Sequence, residues 1–79
     1  MKARVTVTLK SSVLDPQGKA IEGALRSLAI DGVRSVRQGK VFDIEMDGAD
    51  PDSARRVLGE ACERLLANTI VENYAIEVG

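Results

Sequence analysis

Apolar and polar residues alternate strictly at the start of the chain, which is the pattern of a half-buried β-strand. The predicted strand covers Lys2–Lys10, with Ala3, Val5, Val7 and Leu9 on one side. A strand with one polar face is typical of an antiparallel or mixed sheet. We therefore expect a sheet that packs on a core with one face and meets water with the other.

Two stretches carry apolar stripes at helical spacing. The first helix is predicted from about Pro16 to Ala29, with Asp31 and Gly32 as its stop signal. The second is predicted to begin at Asp50-Pro51. The stripe of the first helix is Ala20, Ile21, Ala24, Leu25 and Leu28; that of the second is Ala54, Val57, Leu58, Ala61, Cys62, Leu65 and Leu66.

Residues 33–46 separate the helices and are predicted to form a hairpin. Its turn is placed near Gln38-Gly39, because glycine accepts the positive φ that such a turn requires. The loop at residues 47–51 follows. "TIVENYAIEV" then closes the sequence as a last strand, with Ile70, Tyr74, Ile76 and Val78 on one face.

The order of elements is therefore βαββαβ in a single domain, residues 1–79. Two helices with one apolar stripe each can both be buried only against the same face of the sheet. This predicts an α+β fold, a two-layer ferredoxin-like sandwich with a four-stranded, mostly antiparallel sheet and two helices on one face. A core of this size is small, so we also expect association with another chain.

The net charge and the residue composition exclude several classes of function. The net charge of −1 gives no general attraction to nucleic acid or an anionic membrane, and neither is predicted as a partner. The chain has no histidine, which argues against self-contained hydrolytic or metal chemistry. A single cysteine, Cys62, and the absence of an apolar leader favour a cytoplasmic protein.

"VLDPQGKA" places a Gly-Lys pair between a predicted strand and a helix, as phosphate-binding loops do. Val13 stands where such a loop needs glycine, and Ala20 stands where it needs serine or threonine. Asp15 is placed to cap the helix through its carboxylate. We interpret the stretch as a turn and a cap.

The other reactive side chains have structural interpretations too. Cys62 lies on an apolar stripe and is predicted to pack in the core. The carboxylates between residues 43 and 52 fit a solvated face better than a cation site. Arg34, Arg37 and Lys40 crowd the predicted hairpin tip, where they keep it soluble or meet an acidic partner. The strand beside them offers only Phe42 for base stacking, which argues against RNA.

Three stretches together resemble the PurS family, the small subunit of phosphoribosylformylglycinamidine (FGAM) synthase. They are "VTLKSSVLDPQGKAIEGAL", "GVRSVRQGKVFDIE" and "CERLLANTIVENYAIEV", which cover nearly the whole chain in the right order. The family commonly has proline where this chain has Thr69. Proline there would stop the helix, so we expect Asn68 to end it in a left-handed conformation.

The resemblance implies a non-catalytic subunit of a glutamine-dependent, ATP-consuming ligase in purine biosynthesis. In this family the large synthetase subunit (PurL) holds ATP, magnesium ion and formylglycinamide ribonucleotide, and the glutaminase subunit (PurQ) releases ammonia. The small subunit, as a dimer or higher homo-oligomer, bridges them and assists ammonia transfer. The resemblance assigns no catalytic, cofactor or metal-binding residue to this chain.

Two exposed loops are the predicted contacts with these partners, because loops carry binding more often than core elements do. The residues are Asp15, Gln17 and Lys19 in the first loop, and Arg37 and Lys40 at the hairpin tip. Pairing of open sheet edges, with the last strand as the candidate edge, is the hypothesis for self-association.

An ACT-like regulatory domain is the alternative, since it is also βαββαβ and binds an amino acid near its first loop. "LDPQGKAIEGAL" echoes its Asp-x-Pro-Gly opening only in part, because Gln17 separates Pro16 from Gly18. ACT modules also usually accompany an enzyme domain, which is a second argument against this alternative.

Overall fold

The computed structural model describes residues 1–48 and 50–79 and contains three strands and two α-helices in these ranges. Ala49, in the predicted loop at residues 47–51, lies outside the described residues. The elements in chain order are β1 (Lys2–Leu9), α1 (Pro16–Ser27), β2 (Gly39–Glu45), α2 (Pro51–Ala61), a π-helical turn (Cys62–Leu66) and β3 (Glu72–Val78).

The sheet is built around β1, as its strict alternation predicted. Both neighbours run antiparallel to it, in the order β2-β1-β3, and Val5 lies opposite Phe42 on one side and Ile76 on the other. Val5 and Val7 are fully buried, whereas Arg4 faces water and pairs with Asp43 at 2.8 Å. β1 is therefore the central strand, and its apolar face forms one wall of the core.

The second helix covers this core, and its apolar stripe is confirmed in part. Ala54, Leu58 and Cys62 are buried, while Val57 and Leu65 on the flanks of the stripe are exposed. α2 packs chiefly over β3. The buried side chains of α2 and the valines of β1 thus enclose the core on one face of the sheet.

Both predicted Asp-Pro helix starts are confirmed. The Asp15 carboxylate accepts a hydrogen bond from the Gly18 N–H at 3.0 Å, and the Asp50 carboxylate accepts one from the Asp52 N–H at 3.1 Å. Ser53 adds a hydroxyl hydrogen bond to Asp50 at 2.8 Å. The aspartates satisfy amides that the helix leaves unpaired, and the proline that follows needs no partner for its nitrogen.

The prediction of a four-stranded sheet is wrong, because residues 33–38 join no strand of the described chain. Gly39 does not turn with a positive φ; it lies within β2 opposite Thr8. A Cβ there would lie 2.6 Å from the carbonyl oxygen of Val7, so the glycine serves close packing of β2 on β1. The predicted hairpin is instead an extended segment that continues into β2.

α1 also departs from the prediction, since it does not cover its own sheet. Its buried residues are Gly18 and Glu22, while Ile21 and Leu28 of the apolar stripe are exposed. The radius of gyration is 15.9 Å, against about 12 Å for a compact chain of this length. The helix therefore projects beyond one end of the sheet. It ends at Ser27 with Leu28 as its C-cap, before the predicted Asp31–Gly32 stop, and Ala29 takes a positive φ of 59°.

The chain after α2 differs from the prediction as well. The π-helical turn closes with a hydrogen bond from the Ala67 N–H to the Cys62 carbonyl at 3.0 Å, and Ala67 then adopts an extended conformation. Asn68 is not left-handed; its side chain accepts from the Ile70 N–H at 3.2 Å. Ile70 lies before β3 and is exposed, not on the buried face of a strand.

No helix among the described residues combines the length and the apolar character that a membrane crossing requires.

We expect Leu58→Ala to lower the free energy of unfolding by about 2–4 kcal/mol, because Leu58 is only 3% exposed. The matched control is Leu65→Ala, at a leucine that is 81% exposed, with an expected change below about 0.5 kcal/mol. Urea unfolding followed by circular dichroism measures both. Equal losses in the two variants would contradict the assignment of the core.

Candidate functional site

The two loops predicted to contact partners meet in the structure. Asp15, Gln17 and Lys19 lie at the start of α1, and Arg37 and Lys40 lie where the extended segment enters β2. We call residues 10–19 together with 36–40 the junction. Hydrogen bonds from one loop to the other make it a single surface, which the sequence did not reveal.

The Asp15 carboxylate holds the junction together. One oxygen accepts from the Gly18 N–H at 3.0 Å and the other from the Gln38 N–H at 2.6 Å. Asp15 is 4% exposed, so it is not a surface contact. The Gln38 and Gly18 amides stabilise the carboxylate and hold the pKa of Asp15 below its usual value.

Glu22 makes a second bond of the same kind, two helical turns after Asp15. Its carboxylate accepts from the Val36 N–H at 2.9 Å and lies 3.6 Å from the Lys19 ammonium. The Val36 amide, with help from Lys19, lowers the pKa of Glu22. We call the contacts of Asp15 and Glu22 with residues 36–38 the carboxylate clamp. The sequence places Glu22 off the apolar stripe, and only its seven-residue spacing from Asp15 hints at a shared face.

Arg37 braces the junction from the other side. Its guanidinium donates to the carbonyl oxygens of Lys10 and Val13, both at 2.9 Å. Arg37, predicted at a hairpin tip as a solvated charge or a contact with an acidic partner, therefore links two loops of its own chain. Lys40 is exposed and its ammonium lies 3.9 Å from the Glu72 carboxylate. Gln17 and Lys19 are exposed as well.

Other candidate groups have structural partners. The Gly18 amide, which a phosphate loop would offer to its ligand, is already bound to Asp15. Burial raises the pKa of the Cys62 thiol, which fits the predicted core position. Asp43 pairs with Arg4, and Asp52 lies 3.7 Å from Arg55. Across residues 1–48 and 50–79, no three acidic or cysteine side chains gather as a cation site would require. The junction is therefore the candidate surface for contact with a partner protein, through its shape and its charged side chains.

Known sequences match this chain over nearly its whole length. The family model described as PurS, phosphoribosylformylglycinamidine (FGAM) synthase, matches residues 2–79. The phosphoribosylformylglycinamidine synthase subunit PurS of Bacillus subtilis is 46% identical over 77 residues, which are 98% of this chain and 90% of the relative.

Solved structures agree with the sequence match. PurS from Methanocaldococcus jannaschii superposes with a TM-score of 0.91 at 36% identity, covering 99% of this chain and 94% of that one. A chain in the structure of PurLQS from Thermotoga maritima gives a TM-score of 0.88 at 34% identity, covering 96% and 93%. The protruding architecture described above is therefore shared with experimentally determined chains.

We expect Gly18→Ala to loosen the clamp, because a Cβ at residue 18 would lie 2.3 Å from the Val36 carbonyl oxygen. The loss of unfolding free energy should be about 1–3 kcal/mol. Gly23→Ala is the matched control in the same helix, where a Cβ meets nothing within 4 Å. It should stabilise the helix by about 0.5–1 kcal/mol. Thermal and urea unfolding measure both, and a neutral Gly18→Ala would argue against close packing of α1 on residues 36–38.

The clamp also predicts acid sensitivity. Both pKa values are lower in the folded chain than in an unfolded one, so the ionised carboxylates stabilise the fold. That contribution is complete above about pH 5 and is lost as the pH falls through and below the usual carboxyl range near 4. The double variant Asp15→Asn, Glu22→Gln should therefore lose less stability than the parent between pH 6 and pH 3, as denaturant unfolding at each pH would measure. Parallel pH profiles would count against the clamp.

Proposed function

Because this chain belongs to the PurS family of FGAM synthase subunits, we propose that it acts as the non-catalytic small subunit of that enzyme. The enzyme converts formylglycinamide ribonucleotide, ATP and glutamine to FGAM, ADP, phosphate and glutamate. The observation that carries the proposal is the match over residues 2–79, supported by a similar chain in the PurLQS structure from Thermotoga maritima. The ACT-like alternative has no comparable support.

The acidic, basic and thiol side chains discussed above as candidates for chemistry already make structural contacts within this chain. Asp15 and Glu22 bind main-chain amides, and Arg37 binds main-chain carbonyls. Cys62 is enclosed in the core. These assignments support a subunit that acts through contact, with ATP and magnesium ion bound on the large synthetase subunit.

The proposed role is to bridge the large synthetase subunit and the glutaminase subunit, as a homodimer or higher homo-oligomer in the cytoplasm. Ammonia released into water is protonated and diluted, whereas an enclosed route keeps it neutral and at a high effective concentration. A rigid subunit that holds two active sites in register therefore promotes the reaction without touching the substrate.

The junction is the surface that we propose for partner contact. Gln17, Lys19 and Lys40 present polar and cationic groups there, on a backbone fixed by Asp15 and Arg37. A preorganised surface loses less conformational entropy on binding than a mobile loop does. An acidic surface on the partner fits the two lysines.

Reconstitution of the enzyme from its separate subunits tests the proposed bridging role. The large subunit and the glutaminase should form FGAM with glutamine only when this chain is added, whereas ammonium chloride should support the reaction without it. Turnover is measured with each nitrogen source, and this chain alone should show none. Equal rates with glutamine in the presence and absence of this chain would overturn the proposal.

Charge reversal tests the junction. Lys19→Glu with Lys40→Glu should weaken binding to the large subunit by about tenfold or more, since rim and core charges steer association. The control pair Arg55→Glu with Arg56→Glu makes the same charge change on exposed residues of α2. Light scattering or calorimetry measures the complex. If the control pair weakens binding as much as the junction pair does, the junction is not the contact.

A further inference from the structure

Residues 28–35 connect α1 to the carboxylate clamp, and all of them are exposed and outside any helix or strand. The N–H of Ile30 still bonds to the Leu25 carbonyl at 3.0 Å, and the N–H of Val36 bonds to the Glu22 carboxylate at 2.9 Å. Between these two anchors, the main chain of residues 31–35 makes no hydrogen bond to another part of the described chain. Exposed segments without such bonds open locally at almost no cost in free energy.

Asp31 and Gly32 are consecutive in this free stretch. Gly32 has a positive φ of 92°, and a Cβ at this position would meet nothing within 4 Å. Glycine has no side chain to hinder an approach to its own nitrogen, and its backbone rotates more freely than that of any other residue. The carboxyl carbon of an aspartate and the nitrogen of the next residue can close a five-membered ring. The Gly32 nitrogen is therefore free to reach the carboxyl carbon of Asp31.

We propose that Asp31 is a site of spontaneous isomerisation to isoaspartate. The Gly32 nitrogen forms a bond to the carboxyl carbon of Asp31 and loses its proton, and the carboxyl hydroxyl leaves with that proton as water. Water then adds to the former main-chain carbonyl of the cyclic imide, and the bond from this carbonyl carbon to the Gly32 nitrogen breaks. The main chain now runs through the side-chain carbonyl, and the former main-chain carbonyl has become the free carboxylate. One water is released and one is consumed, so the reaction needs no other reactant.

The fold tolerates the product of this reaction. Isomerisation lengthens the main chain by one carbon between Asp31 and Gly32. The clamp holds α1 to the extended segment through the carboxylates of Asp15 and Glu22, and neither contact involves residues 31–35. The longer connector therefore leaves both contacts in place, and the isomerised chain accumulates in the folded state.

Most other aspartates are held in positions that oppose the ring closure. Asp43 lies within β2 and Asp52 lies within α2, where the hydrogen-bonded backbone resists the rotation that the attack requires. Asp15 and Asp50 each precede a proline, whose nitrogen has no proton to release. These four aspartates are internal controls for the reaction at Asp31.

Asp47 precedes Gly48 and provides a sharper comparison, because the two residue types are the same as at Asp31. Met46 donates its N–H to the Met1 carbonyl at 2.9 Å, and Asp50 caps α2. Only residues 47–49 separate these two anchors, whereas residues 31–35 separate the anchors around Asp31. We therefore expect the reaction at Asp47 to be slower than at Asp31.

Incubation of the full chain at physiological temperature and mildly acidic pH, followed by trypsin, tests the proposal. Trypsin separates residues 27–34, which contain Asp31, from residues 41–55, which contain the aspartates from Asp43 to Asp52. Isoaspartate is recognised by electron-transfer fragmentation and by labelling with an isoaspartyl methyltransferase. In the folded chain Asp31 should convert at a rate within about fivefold of that in a free peptide of residues 27–34. Asp43 and Asp52 should show no conversion over the same time.

A matched pair of variants identifies the residue. Asp31→Glu keeps the charge but requires a six-membered ring, which closes far more slowly, so residues 27–34 should lose the methyl label. Asp47→Glu makes the same change at the other Asp-Gly pair and should leave the conversion of Asp31 unchanged. Far-ultraviolet circular dichroism checks that both variants fold.

Two results would overturn the proposal. The first is a folded chain in which Asp31 stays intact while the free peptide converts, since the fold would then protect this residue. The second is faster conversion at Asp47 than at Asp31, which would remove the structural reason for the choice. Neither result bears on the reconstitution of the enzyme, so the proposed function is tested separately.

Discussion

The carboxylate clamp is the interaction on which the shape of this chain depends. Asp15 and Glu22 accept the amides of Gln38 and Val36, and so attach the extended segment to α1 rather than to β2. Each carboxylate is nearly buried, and a buried carboxylate without donors would be strongly unfavourable. Main-chain N–H groups supply those donors, and hydrogen bonds to an ionised acceptor are stronger than neutral ones. The two acids therefore fix the position of α1 relative to the segment that enters β2.

Arg37 and Gly18 make this arrangement specific. Arg37 donates to the carbonyls of Lys10 and Val13, and so links the loop before α1 to the segment after it. Gly18 lets the helix approach the Val36 carbonyl more closely than any side chain would allow. The result is a helix and an extended segment joined by several hydrogen bonds, which suits a subunit whose proposed role is to hold partners in register.

Local patterns predicted the local structure well. The alternation of β1, the two Asp-Pro starts and the burial of Cys62 all follow from periodicity and capping chemistry, which act within a few residues. The fourth strand was predicted from the same kind of pattern and is absent, because alternation at residues 33–37 says that the segment is extended but not what it pairs with. The apolar stripe of α1 likewise predicts a buried face, yet Ile21 and Leu28 are exposed, because periodicity marks a stripe without saying what packs against it. Of the candidate site, the two loops were predicted; Glu22, which joins them, was not, since an acid on a polar helix face is usually solvated.

The central position of β1 has a consequence for how the chain folds. Its second neighbour is β3, at the far end of the sequence, with Ala3 opposite Val78. Pairings between such distant residues form slowly, because closing the long loop between them costs entropy before any contact compensates. β1 can pair with β2 before β3 is in place, but its other edge and part of its apolar face stay uncovered until β3 pairs. The last pairing of the sheet therefore also closes the core, because α2 packs over β3.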